Sequence, residues 1–213
     1  EQCSVPRQDP LSPAAVADRQ LKNLSLSYLG SLQEPASLKL IEDMFRSADN
    51  MTDEAACFKI LSQTDPQTRQ RSADHFFAKW KDHPLVLDKW FAIQAQSILP
   101  DTLENVVELT KHPSYSLKNP NRVRALIFSL AMLNPVIFHT ENGNGYDFIA
   151  QQICLLDGIN PQVAARLASC FNQWQAYDEH RQILMKKALE AVQSKSGLSK
   201  NVYEIISKAL AGQ

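Results

Sequence analysis

The sequence predicts an all-α protein of about twelve short helices in stacked antiparallel hairpins. Three observations carry that prediction. First, Asn119-Pro120, Asn134-Pro135 and Asn160-Pro161 each open a stretch with helical apolar spacing, and Ser12-Pro13 and Asp65-Pro66 repeat the device. An Asn, Ser or Asp side chain accepts from a free N–H of the first turn. Proline suits the next position because its φ is already helical and its absent N–H would have lacked an intrahelical partner. Second, apolar residues recur at i, i+3, i+4 and i+7 between these punctuation points. Third, 213 residues contain only 6 glycines, few for a β-sandwich or a nucleotide-binding α/β domain.

Residues 1–11, with Pro6 and Pro10, read as an irregular lead-in to a single helical domain over 1–213. Helix one runs from about Ser12 to Gly30, with Leu21, Leu24 and Tyr28 on one face. Helix two starts near Pro35 and carries Leu38, Ile41 and Phe45. Thr52 is the expected cap of a third helix containing Ala56, Ile60 and Leu61. Asp65-Pro66 opens a fourth that ends near Phe76, Phe77 and Trp80. His83-Pro84 breaks the pattern, and a fifth helix follows with Leu87, Trp90, Phe91 and Gln94. Asp101 and Glu104 make a capping-box-like start for a sixth.

After a connector over 112–118, Asn119-Pro120 opens a seventh helix, from Asn121 to about Met132, with Val123, Leu126, Ile127 and Leu130 inward. Asn134-Pro135 starts a short eighth, and Glu141 to Gly145 is a flexible turn. The ninth passes through Phe148, Ile149 and Ile153, and the tenth runs from Asn160-Pro161 to near Phe171. Asp178 caps the eleventh and Ser199 the last. Short connections suit antiparallel neighbours. A mean helix-pair period of about 35 residues favours an irregular α-solenoid of the HEAT or armadillo kind over a globular bundle.

Composition bounds the function. A formal net charge of −1 provides no field to attract nucleic acid or an anionic membrane. No apolar run approaches the roughly 20 residues that span a bilayer. The chain begins at Glu1 without methionine or a visible signal peptide, which points to a fragment or a processed product. Cys57, Cys154 and Cys170 fall among apolar helical residues, and no cysteines have CxxC spacing. Buried free thiols are favoured over a Cys154–Cys170 bridge, and the usage fits a reducing, cytoplasmic setting.

No catalytic motif is present. His75, His83, His112, His139 and His180 are too far apart for HExxH, which needs two imidazoles one helical turn apart. There is no GxGxxG, GxxxxGK[ST] or GxSxG. Asp178-Glu179-His180 reads as helix capping, and Trp80, Trp90 and Trp174 as core. The unexplained side chains are Arg122 and Arg124, in the first turns of helix seven, where positive charge opposes the macrodipole. Gln162 and Arg166 are spaced i, i+4 on one face of helix ten. A carboxylate is the natural partner of such arginines. Ion pairs within the domain, with acids such as Asp147 or Asp157, are the structural alternative.

Asn119-Pro-Asn-Arg-Val-Arg124, the Gly143-Asn-Gly-Tyr146 turn and Asn160-Pro-Gln-Val-Ala-Ala-Arg-Leu167, in this order, resemble the C-terminal domain of bacterial-type aminopeptidase N. Leu85 to Phe91, Gln94-Ala95, Asn50 to Asp53, Tyr177-Asp178, Arg181-Gln182, Leu198-Ser199 and Tyr203-Glu204 fit the same family. The resemblance is weakest before about residue 45. It implies membership of a family of gluzincin-type zinc metallopeptidases that remove N-terminal residues from peptides. Their catalytic domain carries HExxH and the zinc, and this chain has neither that motif nor a cofactor of its own. The implied role is non-catalytic: the helical domain caps the catalytic cleft, gates access and helps orient the peptide. Arg122, Arg124, Gln162 and Arg166 correspond to residues lining that enclosed channel. The implied partners are the catalytic domain of the same polypeptide and the peptide substrate. The chain also looks shorter than the family's whole helical domain, so an apolar N-terminal end would be exposed and invite self-association. The competing reading is an autonomous α-solenoid that binds a protein partner, with no enzymatic context.

Overall fold

Side-chain caps start most helices of the computed structural model, which describes residues 11–212. Cys3 and nearly all of the expected lead-in lie outside the described residues. The described residues are all-α, without a strand. They contain thirteen α-helical segments in two compact units that divide at Lys79/Trp80. No described helix is long and apolar enough to cross a membrane.

The first unit contains α1 (Pro13–Ser31), α2 (Pro35–Ser47), α3 (Met51–Leu61) and α4 (Pro66–Trp80). Helices α1, α2 and α3 pack on one another. Their core gathers Leu26, Ile41, Phe45, Phe58 and Leu61, and α4 adds Phe76, which stacks on Phe58 with ring centroids 5.0 Å apart. Ser12 accepts from Ala15 N, and Asp65 accepts from Gln67 N and Thr68 N. Thr52 is not the cap of α3. Asn50 is: its Oδ1 accepts from Asp53 N at 3.0 Å, and its Nδ2 donates back to Asp53 Oδ2 at 2.9 Å. This reciprocal pair starts the helix two residues before the expected cap. Leu21, Leu24 and Tyr28 do share a face of α1, but that face is exposed, by 66%, 54% and 70%. Leu26 and Gly30, on the other side, are the buried residues.

The second unit begins with α5 (Pro84–Ala95) and α6 (Thr102–Leu109). Pro84 is the first residue of α5, so His83-Pro84 opens a helix as well as ending a pattern. Asp101 precedes α6, but its side chain makes no capping hydrogen bond. Next come α7 (Pro120–Val123), a π-helical segment (Arg124–Phe128) and α8 (Ser129–Leu133), one unbroken run. The expected seventh helix is therefore correctly placed but widened by a π turn. The short α9 (Pro135–Phe138) starts at Asn134, which is 2% exposed. Its Oδ1 accepts from Ile137 N, and its Nδ2 donates to Ala95 O at 2.9 Å and Ser97 O at 2.7 Å. One side chain thus starts α9 and ties down the end of α5.

The Glu141–Gly145 turn is pinned. Asn142 Oδ1 accepts from Asn144 N and from the Thr140 hydroxyl, both at 3.0 Å. Gly143 has φ 73°, a left-handed conformation that suits glycine, and caps α10 (Asn144–Asp157). A Cβ at Gly145 would lie 2.6 Å from Phe138 O, so this position admits no side chain without a backbone shift. Then follow α11 (Pro161–Ala168), short 3-10 turns at Ser169–Phe171 and Trp174–Ala176, α12 (Glu179–Gln193) and α13 (Lys200–Ala211). Helix α10 packs on α11 and α12, and α13 packs on α11 and α12. Trp174 is buried and donates from Nε1 to Ala209 O at 2.9 Å. Asp157 Oδ2 accepts from Ser199 N at 2.9 Å, joining the end of α10 to the start of α13. Cys57 is buried, Cys154 and Cys170 are half-buried, and all three are free thiols.

Candidate functional site

Asn119 begins the first pair of candidate residues. Its Oδ1 accepts from Asn121 N at 3.0 Å and Arg122 N at 3.4 Å, which fixes the first turn of α7. Within that turn Arg122 points inward and is 6% exposed. Its Nε donates to Ser114 O at 3.1 Å, and an Nη donates to Pro84 O at 2.9 Å. The same Nη pairs with the Asp88 carboxylate, and the guanidinium lies 5.6 Å from the centre of the Phe91 ring. Arg122 therefore braces the 112–118 connector against α5. Its acidic partner is Asp88, neither Asp147 nor Asp157. Nothing in the sequence signalled that partner: 34 residues separate the two, and the pairing exists only because the π segment packs on α5.

Arg124 is exposed at the start of the π turn, and an Nη donates to Asn121 Oδ1 at 3.2 Å. The wider turn carries Ala125 to Phe128 into the core and leaves Arg124 outside.

Gln162 and Arg166 come from the third Asn-Pro start. Asn160 Oδ1 accepts from Val163 N at 3.1 Å. Val163, Ala164, Leu167 and Ala168 turn into the core against α10 and α13. That pattern leaves Gln162 and Arg166 exposed together on the opposite face, one turn apart. Neither side chain has a hydrogen bond or ion pair with a described residue. Here the spacing argument holds: a guanidinium and an amide stand side by side with free donors. The two pairs stand on different elements. Arg122 and Arg124 belong to a segment packed on α5, whereas Gln162 and Arg166 stand on a helix packed on α10 and α13.

No cluster of three or more His, Cys, Asp or Glu residues occurs among the described residues. His112 Nδ1 accepts from Ser114 N at 3.1 Å, and His180 Nε2 donates to Glu141 O at 2.9 Å. The first bond lies within a local turn, and the second ties the start of α12 to the turn before α10. Burial pushes the Cys57 thiol up to about 11, so it is not a reactive thiolate at neutral pH.

Comparison with known proteins gives this geometry a context. Residues 1–211 match the family model described as "Domain of unknown function (DUF3458_C) ARM repeats", in keeping with stacked helical hairpins. The chain is 39% identical over 197 residues to aminopeptidase N of Caulobacter vibrioides, covering 92% of this chain and 23% of that protein. It is 38% identical over 196 residues to aminopeptidase N of Escherichia coli, covering 92% of this chain and 22% of that protein. Among solved structures it is similar to the crystal structure of Legionella pneumophila aminopeptidase A in complex with aspartic acid. There the TM-score is 0.86 at 33% identity, covering 92% of this chain and 23% of that one. The chain thus spans less than a quarter of the length of these relatives.

Proposed function

This chain belongs to the DUF3458_C family of ARM-repeat domains and corresponds to the C-terminal domain of aminopeptidase N, and from that premise we propose that it is the non-catalytic, substrate-orienting domain of a zinc aminopeptidase. On this reading the zinc and the attacking water belong to a catalytic domain outside the chain. The helical domain covers the cleft, admits short peptides and excludes folded ones.

The observation that carries the proposal is the exposed Gln162–Arg166 pair, which has no partner among the described residues. An exposed arginine satisfied within its own domain needs no further explanation. One presented beside an amide, with every donor free, suits a carboxylate or peptide carbonyl brought by another molecule. Arg124 is assigned the same role from the π turn. Arg122 is assigned a bracing role in the same wall, because its donors are directed inward. Such contacts would hold the peptide in register with the metal centre and lower the entropic barrier to attack without taking part in bond cleavage.

The test uses the whole polypeptide that carries this domain. A hydrogen bond to a charged group contributes about 1.5–3 kcal/mol, so Arg166→Ala should lower kcat/KM on peptides by about 10- to 150-fold. The effect should be smaller on a single-residue amide substrate, which has no distal carboxylate. Unchanged kinetics on both short and longer peptides would remove the assignment. The second reading, an autonomous solenoid that binds a protein partner, has the exposed Leu21–Leu24–Tyr28 face of α1 in its favour. An upstream reading frame encoding HExxH with a distal glutamate supports the first reading, and an adjacent start codon supports the second.

A further inference from the structure

We propose that His139 is the pivot of an acid-released latch that fastens the segment before α12 to the turn between α9 and α10. The imidazole is held at both nitrogens. Nδ1 lies 2.8 Å from the Tyr146 hydroxyl, and Nε2 lies 3.0 Å from the Tyr177 hydroxyl. The Tyr177 ring stacks on the imidazole with centroids 4.3 Å apart. Arg181 Nε donates to His139 O at 2.9 Å. The end of α9, the first turn of α10 and the start of α12 therefore converge on one residue.

The ionisable groups around it come from each of those elements. Tyr146 belongs to α10, Tyr177 and Asp178 to the connector, Arg181 and His180 to α12, and Glu141 to the turn. Asp178 is committed to Arg181, accepting at 2.8 Å from its Nη and at 3.0 Å from its backbone N. His180 is committed to Glu141 O.

A neutral imidazole has one donor and one acceptor nitrogen, so it donates to one tyrosine hydroxyl and accepts from the other. Protonation makes both nitrogens donors. The hydroxyl that was donating must then accept and turn its own proton elsewhere. Tyr146 is fully buried and cannot turn to water, whereas Tyr177 is 37% exposed and can. The new positive charge also stands beside the Arg181 guanidinium. Repulsion between the two cations loosens the Arg181–His139 contact, and with it Tyr177 and the first turn of α12. Burial, and then Arg181, hold the His139 pKa below the usual histidine range. The latch is therefore closed at neutral pH and opens on acidification.

Hydrogen exchange of the backbone amides of residues 177–183, corrected for intrinsic rates, tests this at about pH 7.5 and about pH 5, where a histidine changes charge. The expected result for the native chain is a fall in protection of about tenfold or more, the equivalent of one pKa unit, with α13 unaffected. In His139→Gln, whose amide has a donor and an acceptor but does not titrate, protection should be independent of pH. In Tyr177→Phe, an exposed and mild change, these amides should exchange fast at both values. The proposal is overturned if Tyr177→Phe leaves the pH-dependent loss intact. It is equally overturned if NMR shows the His139 ring protonated with no loss of protection.

Discussion

Two arginines that look equivalent in the sequence differ once their partners are known. Arg122 is buried with Asp88, Ser114 O and Pro84 O around it, whereas Arg166 is exposed with no partner among the described residues. Arg122→Lys keeps the charge but loses the fork that reaches two carbonyls and a carboxylate. It should cost about 2–3 kcal/mol, as for buried donors to polar groups left unmade. Arg166→Ala should stay within about 0.5 kcal/mol, as surface changes do. Urea midpoints of the two variants measure the contrast, and equal midpoints would refute the division of roles. Asp53 gives the pH dependence its sign. Burial alone would raise its carboxyl, but hydrogen bonds from Lys22, Asn50 and Asn23 outweigh it and hold the group below the usual carboxylate range. A depressed folded-state pKa contributes stability that is present above the unfolded value and lost as pH falls through the folded one. Asp53→Asn should therefore be less stable than the native chain at neutral pH. The gap should close in acid, and a gap that widened there would contradict the assignment.

At the scale of elements, the caps were legible because capping is local. Asn119, Asn134, Asn160, Asp178 and Ser199 each accept from a first-turn amide two or three residues on, within reach of a sequence pattern. Thr52 misled because a hydroxyl residue near a helix start resembles a cap, and only the Asn50–Asp53 exchange shows which residue stands outside the helix. The π turn at Arg124–Phe128 left no trace, since its apolar residues fit an ordinary helix as well. The faces of α1 were ambiguous for a physical reason: Leu26 with Gly30, and Leu21 with Leu24 and Tyr28, form two apolar stripes, and spacing alone does not say which is covered. In the candidate site, the Gln162–Arg166 pairing was legible as an i, i+4 face, whereas the inward turn of Arg122 was not. Asn134 shows how a cap becomes tertiary structure. Asn134→Ala removes one cap bond and two bonds to the end of α5, leaving Ala95 O and Ser97 O without these donors. The cost should be about 3 kcal/mol, one cap at about 1 kcal/mol plus the penalty for buried acceptors. Asn160→Ala, whose Oδ1 forms a cap bond to Val163 N, should cost about 1 kcal/mol. Thermal melts of the two variants rank them, and the reverse order would show that the α5 tie contributes nothing.

For the whole molecule, the proposed function turns on how chemistry would be shared between this chain and a catalytic domain outside it. The histidines are dispersed and mostly occupied. His75 packs its ring on Phe45, His83 on Trp80, and His112, His139 and His180 use ring nitrogens in hydrogen bonds. Assembling a zinc site would mean breaking several of these contacts before three ligands could meet. A tight native-state site would reveal itself by linkage: zinc at 100 times its Kd adds about 2.7 kcal/mol of stability. In a chain of this size each kcal/mol moves Tm by about 2–4 °C, so the rise would be about 5–10 °C. The expected result for the chain alone is a Tm unchanged within about 1 °C by zinc, well below that linkage shift, with no release of N-terminal residues from a test peptide. A rise of several degrees that a chelator reverses would place the metal on this chain and end its assignment as the substrate-orienting partner. A flat response would leave Gln162, Arg166 and Arg124 to act through binding alone, where kinetics in the longer polypeptide can weigh each of them.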